Sequence, residues 1–129
     1  MAANFSTYFE NAICNLMRDT AFAEFPAYVG LWTADDGLEA GTITSECTGG
    51  SYARELCGFD APADGVMDNG ANITFTTATA AWGTVTHFAV MDAVTAGNVI
   101  MHGAVTAPRV VGDGDTAQIN INTLVITVT

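Results

Sequence analysis

The chain has 129 residues, half of them apolar and 13% charged, which is room for one modest core and too apolar for a disordered acidic tail. It has no lysine, and three arginines (Arg18, Arg54, Arg109) face fourteen carboxylates for a net charge of −11. That balance repels phosphate backbones and anionic lipid, so neither nucleic acid nor a membrane is an expected partner.

The first element is a helix, expected over about 5–19. Phe5, Phe9, Ala12, Ile13 and Leu16 recur at helical intervals, and Thr7-x-x-Glu10 has the spacing of a capping box. The opening MAANFSTYFENAICNLM has no basic flank and no long apolar run, so it does not read as a signal peptide. No stretch approaches the ~20 apolar residues that span a bilayer. Synthesis in the cytoplasm is the expectation.

From Pro26 the period changes, and a β-sandwich is expected over about 26–129. AYVGLWTAD reads as a strand stopped by Asp35-Asp36-Gly37. A glycine-rich loop follows, then YARELCGF as a strand over 52–59. Asn69-Gly70 is a hairpin signal, with a strand at 72–76 on its far side. TATAAWG is a connection anchored by Trp82, with Gly83 giving the chain room to turn. TVTHFAVMD (84–92) and VIMHGAVT (99–106) form a hairpin about Gly97-Asn98, the second strand broken by Pro108. GDGDT (112–116) is an acidic turn, and AQININTLVITVT ends the chain as one kinked strand or two.

Seven or eight short strands with turn signals every 8–12 residues mark an antiparallel sandwich or jelly-roll-like domain with one N-terminal helix. No βαβ alternation appears, so no parallel pairing is expected. Residues 1–129 read as a single domain. Trp32, Trp82, Phe88, Met91 and Met101 are core candidates. The threonines of the strand runs (Thr74, Thr76, Thr77, Thr79, Thr84, Thr86, Thr116, Thr123, Thr127 and Thr129) suit an exposed strand face or a subunit contact.

Chemistry is sparse. His87 and His102 come near each other across the hairpin, but no third residue has ligand spacing for a metal. GDGDT lacks the twelfth-position Glu and flanking helices of a calcium loop. Cys14, Cys47 and Cys57 are an odd set without CxxC, fitting neither a disulfide framework nor a zinc site. Buried thiols are expected, with a Cys47–Cys57 bridge left open for an oxidising medium. No GxSxG or Walker pattern is present, and Ser45 and Ser51 have no assignable base. No catalytic, cofactor-binding or metal residue is therefore assigned, no cofactor is expected, and the chain reads as non-enzymatic.

The long run from Asn69 to Thr116 resembles small bacteriophage virion proteins usually labelled phage tail fibre protein, the mycobacteriophage tail-fibre-like family. The matching elements cover nearly the whole chain. They are the N-terminal helix from Asn4 to Asn15; Tyr28, Val29, Leu31, Thr33 and Asp35; Gly50, Tyr52 and Arg54; and Ile73, Phe75, Ala78, Thr79, Ala80 and Trp82 through Phe88. Thr76 stands where members often have proline, and Cys47 and Cys57 are unusual beside the G-x-Y-x-R element. The resemblance implies a virion structural protein with no catalytic residues to carry over, made in the host cytoplasm. Its partners would be other virion proteins (the major capsid protein or tail proteins) and further copies of itself in a homo-oligomer. A compact acidic domain without a shaft motif favours a capsid decoration, or cement, subunit. The alternative is a tail fibre or tail-tip associated protein with a receptor- or glycan-binding role.

Overall fold

The computed structural model describes residues 1–128; Thr129, the last of the threonines named above, lies outside the described residues. The fold is mainly β with one helix near its start. The elements are β1 (Ala2–Phe5), α1 (Thr7–Leu16), β2 (Tyr28–Trp32), a 3-10 turn at Leu38–Ala40, β3 (Glu55–Leu56), β4 (Val66–Asp68), β5 (Ile73–Thr74), β6 (Gly83–Met91), β7 (Val99–Val111), β8 (Gln118–Ile119) and β9 (Val125–Thr127). Seven strands make one sheet in the order β3-β2-β6-β7-β1-β9-β4, and β5 pairs with β8 as a separate ribbon.

The sheet curls. Cys57 beside β3, and Leu124 and Ile126 at the opposite end, share one core with Val29, Leu31, Phe88, Val90 and Ile100 from its middle. Ile73, Phe75 and Ile119 of the ribbon region close over the same face. The result is sandwich-like. A second cluster, Trp32, Leu38, Ala89, Met91 and Val99, lies on the opposite face, with Ile43 of the loop after β2 packed against it.

Two bulges keep the long hairpin in phase. In β6, Val85 and Phe88 both enter the main core although they are three residues apart. The pairing jumps between Val85↔Arg109 and His87↔Ala104, and this shift returns the apolar set to the inner face. Pro108 falls within the looped-out part of β7, where its missing N–H leaves no ladder bond unmade. The strand therefore runs on to Val111 rather than stopping at the proline.

The helix is shorter than its sequence pattern. It starts at Thr7 because Ser6, not Thr7, is the cap: Ser6 Oγ accepts the Phe9 N–H at 3.3 Å. Ser6 is fully buried, donates its hydroxyl to the Val99 carbonyl, and donates its backbone N–H to Ile100 at 2.9 Å. The helix ends at Leu16, and Asp19 sits in the left-handed region at φ +60°. Phe5, the first expected helical residue, belongs instead to β1.

β1 also overturns the all-antiparallel expectation. It pairs antiparallel with β7 (Asn4↔His102) and parallel with β9 (Ala2↔Val125). A βαβ crossover is needed only for parallel strands close in sequence, and these two lie at opposite ends of the chain. The expected Asn69-Gly70 hairpin does not form either: β4 pairs with β9, and β5 with β8. Asn69 is buried and saturated. Its Nδ2 donates to Ala71 (2.8 Å) and Asn120 (2.9 Å), while Oδ1 accepts from Thr123 (3.1 Å) and Leu124 (2.9 Å). The stretch 52–59 yields only the two residues of β3, because Tyr52 and Arg54 are taken up by side-chain bonds described next.

Candidate functional site

Trp82 anchors its connection as the sequence suggests. It is buried, and its indole N–H donates to the Gly50 carbonyl at 3.0 Å. Gly50 has φ +51°, and a Cβ there would lie 2.6 Å from the Ala80 carbonyl oxygen, so only glycine fits against this connection. Tyr52 meets Trp82 edge-on at 5.2 Å between ring centroids and stacks on Phe75 at 6.4 Å. One sharp bend in the loop thus binds the segment that leads into β6.

The same loop carries an ion pair between buried Arg54 and partly exposed Glu46. Arg54 Nε and NH2 reach the two oxygens of Glu46, both at 2.7 Å. Its NH1 donates to the carbonyls of Ala93 and Ala96 at 2.8 Å each, in the β6–β7 turn. Tyr52 Oη donates to Glu46 at 3.0 Å and accepts the Leu31 N–H at 2.9 Å. Burial, then the neighbouring Glu46 charge, pushes the Tyr52 phenol far above its ordinary value, so it remains a donor. These bonds tie loop, β2 and hairpin turn into one brace. Such an arrangement fixes shape; it presents no open nucleophile or base.

Cys47 and Cys57 are free, buried thiols rather than a bridge. Burial pushes both up to about 11, with the Glu46 charge adding to the effect at Cys47. At neutral pH they are protonated, apolar parts of the core.

The two histidines lie on one face of the hairpin as diagonal neighbours, His87 opposite Ala104 and His102 opposite Ala89. His87 Nδ1 is 2.8 Å from Thr86 Oγ1. His102 is buried, and its Nε2 donates to Glu39 at 2.8 Å, while Glu39 also accepts from Thr7 at 3.1 Å. The His102 bond holds the Glu39 carboxyl below its ordinary range. Asp35 is likewise lowered, first by the Leu38 N–H it accepts. Among the described residues, no group of three or more His, Cys, Asp or Glu has metal-holding geometry. In GDGDT, Asp115 Oδ2 accepts the Gly112 N–H at 2.8 Å, the bonding of a turn.

A groove of about 670 Å³ lies between the second half of β7 and the β8 ribbon. Thr106, Arg109 and Val110 form one wall, Gln118 and Asn120 the other, and Phe75, Val85 and Ile119 lie at its buried floor.

Residues 4–127 match the family model described as podophage GP4 fiber I protein gp80. The chain belongs to this family. Membership of the gp80 family places it among bacteriophage virion structural proteins. A search of curated proteins found no match. The matched span takes in the whole brace and both walls of the groove, so the family assignment covers the features described above. Sequence reasoning found Trp82 and the G-x-Y-x-R element but not the Glu46 partner, the Glu39–His102 contact or the groove. Glu46 and Arg54 are eight residues apart in an aperiodic loop, and nothing in the local pattern marks them as paired.

Proposed function

We propose that the chain is a non-enzymatic structural subunit of the virion, acting as one domain over residues 1–129 and mounted on the fibre apparatus through contacts with tail proteins and further copies of itself. The family match over residues 4–127 carries this reading. The brace supports it: a loop bonded to a strand, a hairpin turn and an indole resists deformation, as a subunit that transmits load must. Leu16 and Met17 stand exposed at the end of α1, 54% and 86%, and offer an apolar contact surface.

A decoration, or cement, subunit on the head is the rival placement. The net charge of −11 and the compact arrangement of residues 1–128, without an extended shaft among them, favour it. A receptor- or glycan-binding role draws less support, since the one aromatic lining the groove, Phe75, is only 2% exposed and offers a sugar no stacking face.

Antibody-gold labelling of intact particles tests the placement. Label along or at the base of the fibres is the expected outcome. Label spread over the head would replace the fibre reading with the decoration one, and protein absent from purified particles would end both.

A further inference from the structure

We propose that the open edge of β7 at Arg109 and Val110, beside the groove, docks an extended, carboxylate-bearing strand of another virion protein. The inference rests on the virion reading above. β7 is thirteen residues long, but its outer edge is covered only from Val99 to Gly103, by Ser6, by the β1 pairs at Met101 and His102 and by the Ala2 carbonyl against Gly103. Beyond Gly103 that edge has no ladder partner among the described residues. Across the groove stands the ribbon strand β8, whose named pairing is with β5 alone. A slot flanked by two strand edges is shaped for a third strand, which supplies main-chain donors and acceptors at strand spacing, ~4.8 Å. Residues 105–108 are looped out about Pro108, which gives no N–H, so the bonds on this edge come from the residues that follow it.

Charge selects the occupant. Arg54 is committed to Glu46, whereas exposed Arg109 lines the groove with no ion-pair partner among the described residues. Asp115, the one carboxylate in the lining, already accepts the Gly112 N–H. In a chain of net charge −11, Arg18 is also exposed without an ion pair, but Arg109 is the arginine in the groove, where a carboxylate from outside is attracted rather than repelled. Val110, 73% exposed beside it, offers an apolar contact to a β-branched or small residue on the same strand. The occupant is thus an extended segment with one acid and apolar neighbours at strand spacing.

Purified particles carrying the chain with Cys14→Ser and Val110→Cys provide the test, since Cys14 is the exposed native thiol and Cys47 and Cys57 are buried. Maleimide-biotin should label the isolated chain freely and the particle-bound chain at least tenfold less. A benzophenone maleimide placed on the same cysteine before assembly should crosslink to an acid-containing extended segment of another virion protein. Arg109→Glu should lower incorporation at least tenfold, and Arg109→Lys should retain it. Equal labelling in particle and isolated chain, a crosslink to a second copy of this chain, or a crosslink to a segment without an acid overturns the proposal. A chain present but freely labelled at position 110 sinks this proposal alone; a chain missing from particles sinks the virion reading with it.

Discussion

Trp82 shows how a single side chain can hold two segments. It fills core volume and also satisfies the Gly50 carbonyl, so its loss removes both packing and a bond. Trp82→Ala should destabilise the fold by about 3–5 kcal/mol. Trp82→Phe should recover most of the packing and lose only the indole bond, at about 0.5–1.5 kcal/mol, since the Thr79 N–H still pairs the Gly50 carbonyl. Urea unfolding of the three proteins checks the order; a Trp82→Ala variant as stable as the parent would mean the indole is not part of the core. This residue was readable in advance because an isolated tryptophan beside a glycine, between strand signals, has few roles other than anchoring a connection. Asn69 was not. Asn-Gly has the same local sequence whether it turns a hairpin or, as here, takes part in four side-chain hydrogen bonds, three of them with distant backbone. Only tertiary packing distinguishes the two.

At the level of elements, the hairpin β6–β7 was the most legible part. Two uncharged, β-branched runs about a Gly97-Asn98 turn can hardly pair with anything but each other, and Asp92 secures that turn by accepting the Asn98 N–H at 2.7 Å. β1 was illegible because four residues running directly into a helix have no alternation long enough to register as a strand. The brace between loop and turn has an energetic signature of its own. Arg54→Met leaves the partly exposed Glu46 with only the Tyr52 hydroxyl and should cost about 2–3 kcal/mol. Replacing both, Glu46→Leu with Arg54→Met, removes the stranded charge and should cost clearly less than the single change. A double-mutant cycle in denaturant measures this; equal losses in the single and double variants would mean the pair contributes only packing.

For the whole molecule, the acid limb of stability follows from a surface set of carboxylates. Glu39 is held low by His102, Asp35 by the Leu38 N–H, and Asp36 by Thr44 and Ser45. A carboxyl whose folded pKa is depressed contributes stability above its ordinary value, and that contribution is lost as pH falls through the folded value. The melting temperature should therefore hold near neutrality and fall below about pH 4, the ordinary carboxylate range. Glu39→Gln should melt lower than the parent at pH 7 and lose less on acidification. Parallel melting curves for the two proteins from pH 7 to pH 3 would show that Glu39 contributes nothing.

The place of β1, between β7 and β9, has a consequence for how the protein comes to be. Its partners in the ladder, Val125 and Ile126, leave the ribosome long after Ala2 and Ala3. The β1–β9 seam of the sheet cannot close before those residues emerge, and the nascent chain must wait, edge open, through the synthesis of every strand between. A host chaperone that shields bare strand edges would have its longest opportunity here.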